Sequence, residues 1–185
     1  MTFVTPPLHP SLVVLGYSEA AMFLRREPKP DLVGLISIHG RREFGVEADV
    51  ARRLDLTFDD VEIPDAGDPE GQLRAMARKR WAEQNGLVEV PPTASDAAAI
   101  IEFAESLRGL DGTLLCHCGG GMSRATAAGL ICLAVWGGPG SEAACIEAVH
   151  GLRRGAVPHA GLVRLADGLL GRGGRLVAAL SGCRR

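Results

Sequence analysis

One stretch constrains this chain more than any other: Leu114-Leu115-Cys116-His117-Cys118-Gly119-Gly120-Gly121-Met122-Ser123-Arg124-Ala125-Thr126-Ala127-Ala128. An apolar, strand-like run passes through three consecutive glycines into an Ala-rich, helix-like run. Cys118 opens the turn and Arg124 closes it, with five residues between them. Open α/β sheets place ligands at the carboxyl ends of their strands. There the N–H groups of residues 119–124 can converge into a nest, with a helix N-terminus from about Ser123 aimed at it. Glycine supplies the backbone angles and the close approach that a nest needs. A dianionic phosphate is the natural guest, and a cysteine at the base feels the same field, which favours the nucleophilic thiolate. The Arg124 fork can grip two phosphate oxygens.

The remainder of the chain reads as the surroundings of such a turn. Ser11-Leu12-Val13-Val14-Leu15-Gly16 and Leu32-Val33-Gly34-Leu35-Ile36-Ser37-Ile38 are short buried strands, with a helix capped by Ser18 between them. A polar loop spans residues 39–45. Leu54, Leu56 and Phe58 alternate with polar positions, as in a half-buried strand. An acidic loop follows, and residues 70–84 read as a solvent-facing helix. Ser95 can cap a helix whose apolar face is Ile100, Ile101, Phe103, Ala104 and Leu107. Residues 113–117 form the strand before the glycines, and 125–136 form a buried helix after them. Ser141 caps a helix to about Arg154, and a last helical stretch from His159 to Leu180 is interrupted at Gly171-Arg172-Gly173-Gly174. Strands alternating with helices imply an α/β fold, a mostly parallel central sheet flanked by helices.

Composition narrows the setting. At 185 residues the chain reads as a single domain, residues 1–185, with 1–10 and 181–185 loose. A hydrophobic share of 46% excludes a mainly disordered chain, and a net charge of -2 argues against a general nucleic-acid binder. No apolar run reaches the ~18 residues of a membrane span. The residues from Met1 to Pro7 lack the charged and apolar regions of a signal peptide. Five cysteines, Cys116, Cys118, Cys132, Cys145 and Cys183, mostly in apolar settings, suit a reducing compartment. A soluble cytoplasmic protein is expected. Cys116-His117-Cys118 lacks a second ligand cluster, so no metal is expected.

The spacing from His117-Cys118 to Arg124 resembles the signature of the cysteine-dependent protein tyrosine phosphatase superfamily. Gly121-Met122-Ser123-Arg124-Ala125 is similar to the Gly-x-Ser-Arg-Ser stretch of its dual-specificity members, with Ala125 replacing the second serine. Glu147-Ala148-Val149, Arg153-Arg154 and Val157-Pro158-His159 are similar to that subfamily's helix, arginine and Pro-Asn segment, with His159 in place of Asn. The resemblance covers roughly residues 32–170 and implies a three-layer α/β/α, phosphotyrosine protein phosphatase II-like fold without a cofactor. It implies Cys118 as the nucleophile that forms a phosphocysteine. Gly119, Gly120, Gly121, Met122, Ser123 and Arg124 would bind the phosphate. Ser123 would assist the thiolate leaving group, and His117 would orient the loop and favour the thiolate. Substrates would be phosphorylated proteins or small phosphate esters.

A general acid is also implied, some thirty residues before the cysteine, but residues 84–88 hold no acid. An insertion over residues 70–92 accounts for this. The family's pattern is an apolar strand ending in aspartate, and two stretches fit it: Leu56-Thr57-Phe58-Asp59-Asp60 and Val61-Glu62-Ile63-Pro64-Asp65. Asp60 ranks first because its strand alternates more cleanly, Asp65 second, then Asp59 and Asp68. Two other function classes compete: a phosphoresidue-binding pseudophosphatase, and a rhodanese-like sulfurtransferase or arsenate-type reductase.

Overall fold

The computed structural model describes residues 9–40, 46, 48–65 and 67–182. Arg41, Arg42 and Cys183 lie outside the described residues, as does most of the polar loop that begins at His39. Among the described residues are four strands: β1 (Ser11–Gly16), β2 (Leu32–His39), β3 (Arg53–Thr57) and β4 (Thr113–Cys118). They form one sheet in the order β1-β4-β2-β3, with every pairing parallel. Parallel neighbours need crossover connections; among the described residues the one from β2 to β3 carries no helix, and the others are made with helices. These are α1 (Tyr17–Leu24), α2 (Pro69–Gln84), α3 (Ala94–Ser106), α4 (Arg124–Gly137), α5 (Glu142–Leu152), α6 (Ala160–Leu169) and α7 (Arg175–Gly182).

Side-chain alternation along the strands divides the core into two layers. Leu12, Val14, Ile36, Ile38, Leu56, Leu114 and Cys116 face a large cluster built with α3, α4, α5, α6 and α7. Leu35 and Leu115, with Val13 and Leu15, face a smaller cluster with Ala20 and Phe23 of α1. The sheet therefore lies between α1 and a much thicker helical layer, an α/β/α arrangement. In α4 even Arg124, Thr126 and Gly129 are buried. Leu130 and Ile131 are fully buried there, each contributing roughly 1.5–3 kcal/mol over an exposed position. That burial fixes the helix whose N-terminus receives the glycine turn.

Several boundaries differ from the sequence expectation, each for a local reason. α1 begins at Tyr17 behind Gly16, not behind Ser18, because the Glu19 carboxylate accepts from Gly16 N–H at 2.8 Å. α3 is capped by Thr93, not Ser95: Thr93 and Asp96 exchange the reciprocal bonds of a capping box. Ser141 precedes α5, but its hydroxyl turns back to the Gly138 carbonyl at 2.7 Å. Residues 61–65 form no strand, so the pattern of a strand ending in aspartate is realised by β3 and Asp59-Asp60. Among the described residues no helix is long and apolar enough to cross a membrane.

Candidate active site

The carboxyl ends of β1, β2, β3 and β4 lie together at one edge of the sheet, since Gly16 pairs with Cys118 and His39 with Thr57. Residues 118–124 leave β4 there and curl into α4. Gly121 adopts φ 69°, and a Cβ on it would lie 2.3 Å from Gly16 N, so only glycine fits where the loop meets the end of β1.

Four carbonyls of the loop are held on its outer side. Gly119 O accepts from Tyr17 N–H at 3.0 Å, and Gly120 O from Arg153 Nη2 at 3.3 Å. Met122 O accepts from Val157 N–H at 2.9 Å, and Ser123 O from His159 N–H at 3.3 Å. The Thr126 hydroxyl lies within reach of the last two carbonyls, at 2.7 and 2.8 Å, and can give its one proton to either. A trans peptide points its N–H opposite to its C=O. Turning the carbonyls out therefore turns the following N–H groups in, a cradle that could receive an anion. One of them, Gly121 N–H, donates to Cys118 Sγ at 3.2 Å.

Arg124 is the first residue of α4 and is 5% exposed. Its Nη1 donates to Phe58 O at 3.1 Å, which ties the guanidinium to the residue just past β3. Ser123, the N-cap of α4, makes no side-chain cap; its hydroxyl donates instead to Asp60 Oδ1 at 2.7 Å. Of the four acids that the sequence offered, Asp60 thus meets the cradle. Asp59 Oδ2 accepts from Val90 N–H at 2.8 Å, tying the chain beyond α2 to the end of β3. Asp65 accepts from Gly67 N–H at 3.1 Å and lies 3.8 Å from Arg164 Nε. It borders a groove of about 570 Å³, lined also by Arg74, Arg78 and Leu180, that Cys118 does not line. Asp68 caps α2.

His117 is 1% exposed, and among the described residues neither ring nitrogen has a hydrogen-bond partner. Burial first, then the Arg53 and His39 charges, lower its pKa to about 4, so the ring is neutral at physiological pH. Cys116, Cys132 and Cys145 are buried free thiols. Burial and the neighbouring Cys132 push the Cys116 thiol well above its usual value.

No protein-family model and no curated protein matches the chain. Solved structures similar to it include a crystal structure of PTPMT1 in complex with PI(5)P. That match has 14% identity and a TM-score of 0.49, and covers 94% of each chain. A crystal structure of Tk-PTP in the active form is 17% identical over 92% of this chain and 99% of that one, with a TM-score of 0.46. These are protein tyrosine phosphatase-type folds. A further structure of PTPMT1 is 15% identical over 94% of each chain, with a TM-score of 0.43.

Three side chains around the cradle were not assigned a part in the site by residue chemistry alone. Arg153 contacts Met122 Sδ at 3.3 Å, Gly120 O at 3.3 Å and Glu19 Oε1 at 2.8 Å. Glu19 in turn holds Gly16, against which Gly121 packs. His159 reaches the acid loop through Val61 O at 2.8 Å. For Glu19 the available signal was a capping position; for the other two it was their place in the downstream resemblance.

Proposed function

We propose that this chain is a phosphate-monoester hydrolase of the cysteine-dependent protein tyrosine phosphatase superfamily, of dual-specificity type. The observation that carries this reading is the hydrogen bond from Gly121 N–H to Cys118 Sγ, inside a loop whose carbonyls are held outward. A sulfur that accepts from an inward amide, beside a helix N-terminus and a buried arginine, is placed at the base of an anion site. Phosphoryl transfer asks mainly for positioning and for stabilisation of charge on the equatorial oxygens, which N–H groups and an arginine fork supply.

In the proposed cycle the Cys118 thiolate attacks phosphorus, the S–P bond forms and the ester P–O bond breaks. The leaving oxygen takes a proton from Asp60, and the alcohol departs. Water then attacks the phosphocysteine, giving its proton to the Asp60 carboxylate, as the S–P bond breaks and inorganic phosphate leaves. Arg124 holds the phosphoryl oxygens in both steps, and Ser123 donates to the sulfur in the second. Phosphorylated proteins and small phosphate esters are the proposed substrate class. The Asp60 contact with Ser123 supports its role over that of Asp65, whose carboxylate is directed toward Gly67 and Arg164.

Hydrolysis of p-nitrophenyl phosphate tests the reading. Cys118→Ser is expected to abolish turnover; retained activity overturns the mechanism. Asp60→Asn is expected to flatten the alkaline limb of the pH–rate profile and to cost roughly 10²–10⁴ in kcat on esters with poor leaving groups. Asp65→Asn is expected to do neither.

A further inference from the structure

We propose that His159 is a positioning residue that fixes the height of the Asp60 turn above the cradle. This rests on the reading of Asp60 as the general acid. His159 is buried, its side chain 0% exposed, and it joins three elements. Its backbone N–H donates to Ser123 O in the cradle. Its Nδ1 accepts from Leu162 N–H at 3.1 Å and so caps α6. That acceptor role puts the proton of the neutral ring on Nε2, which donates to Val61 O at 2.8 Å.

The bond to Val61 matters because of the turn it closes. Val61 N–H donates to Asp59 O at 2.9 Å, an i to i+2 bond that leaves Asp60 at the tip of a three-residue turn. Both feet of the turn are pinned. Asp59 is held by Val90 through its backbone N–H at 2.7 Å and its carboxylate at 2.8 Å. Val61 is held by His159. The ring stands 3.9 Å from Asp60 Oδ1, beyond hydrogen-bond length. His159 therefore fixes where the carboxyl group sits without bonding to it. The carboxylate itself accepts from the Ser123 hydroxyl, which the proposed cycle frees during turnover.

The two ring nitrogens do separate work, and substitutions can separate them. Asn at this position offers an acceptor at the place of Nδ1 and keeps the helix cap, but does not reach Val61. Gln offers a donor at about the reach of Nε2 and lacks the cap. Phenyl phosphate, whose leaving group needs protonation, reads the position of the acid; p-nitrophenyl phosphate, whose leaving group is more acidic, reads it less.

Displacing a reacting group by about 1 Å can cost as much as roughly 10²-fold. His159→Asn is thus expected to lose about 10- to 100-fold in kcat on phenyl phosphate, with a smaller loss on the nitrophenyl ester and an unchanged KM. His159→Gln is expected to keep most of its kcat on both esters despite a lower melting temperature. If His159→Asn does not fold, His159→Gln is compared with His159→Met. Both lack the cap and have similar length, and only Gln can donate to Val61.

The same assays on Asp60→Asn separate the failures. A loss of phenyl phosphate turnover in Asp60→Asn with none in His159→Asn overturns the positioning role alone. Wild-type turnover in Asp60→Asn overturns the general acid and the positioning role together. Equal losses on the two esters in His159→Asn and His159→Gln would make the residue a mere scaffold element, and so also overturn the proposal.

Discussion

The Ser123 hydroxyl and the Asp60 carboxylate, 63 residues apart in sequence, are joined by a 2.7 Å hydrogen bond in which the serine donates. A hydroxyl has one proton to give, so Ser123 cannot hold Asp60 and assist the Cys118 sulfur at the same moment. In the proposed cycle it must swing from one to the other as the phosphocysteine is hydrolysed. Ser123→Ala is expected to leave the first step largely intact and to slow the second. Rapid-quench kinetics on p-nitrophenyl phosphate would then show a burst of one nitrophenol per site ahead of a slower steady rate. Linear product release from the first turnover would refute this division of labour.

Gly121 allows little freedom of substitution. Its φ of 69° and the 2.3 Å separation of an added Cβ from Gly16 N combine two costs at one position. The left-handed backbone costs an alanine roughly 1–2 kcal/mol, and the clash has to be relieved by moving the loop itself. Gly121→Ala is expected to retain a folded circular-dichroism spectrum while losing about 10²-fold in kcat/KM. Titration of inorganic phosphate should weaken in parallel, since the proposed site uses the same amides to bind it.

Arg153 braces the cradle from behind, and its partner Glu19 shows which part of that brace concerns stability. The Arg153 hydrogen bond, then that of Gly16 N–H, hold the Glu19 carboxyl below its ordinary pKa. A depressed acid stabilises the fold above its unfolded pKa and loses that contribution as pH falls through the folded value. The pair is partly exposed, so this contribution is at most about 1 kcal/mol. The larger effect is expected in function. Arg153→Ala frees Gly120 O, and KM for phosphate esters should rise about tenfold, the factor that ~1.4 kcal/mol represents. A double-mutant cycle with Glu19→Gln would show how much of that increase passes through the ion pair.

His117 sets an acid limit on the fold. Its pKa is lowered from 6.5 to about 4, so between those values the unfolded chain binds a proton that the folded chain excludes. Stability then rises with pH across that window and falls as the solution is acidified. Full titration through the window corresponds to about 3 kcal/mol. Urea denaturation of the wild type and His117→Leu, at several pH values from neutral to about 4, should show a steeper decline in the wild type. Parallel curves would place the acid sensitivity elsewhere.

Much of the architecture was legible in residue patterns. Three glycines between an apolar run and an alanine-rich run gave β4, the turn and α4 almost to the residue, because few conformations accommodate that order. Gly171 and the glycines after it marked the break between α6 and α7. Caps were less legible. Ser18, Ser95 and Ser141 all have suitable hydroxyls, but Glu19 and Thr93 reach the exposed amides of α1 and α3, and Ser141 bonds to a carbonyl instead. What holds Asp59 and Asp60 in place was beyond sequence reach for a different reason. It depends on Val90 and His159, 31 and 98 residues from their partners, and no local pattern encodes such contacts.

The sheet order carries a consequence for how the molecule comes apart. β4 is hydrogen-bonded on both sides, by β1 and β2, and leads straight into a buried helix. Its amides can exchange with solvent only when the whole domain opens. Asp60 follows β3, an edge strand, and is steadied by a chain segment beyond α2, a helix with Leu73, Met76 and Trp81 exposed. Deuterium should therefore enter residues 59–90 long before residues 113–118. On gentle warming the Asp60 turn, the proposed proton donor, is expected to be lost while the loop of residues 118–124 still stands. The wild type should then come to resemble Asp60→Asn before it unfolds.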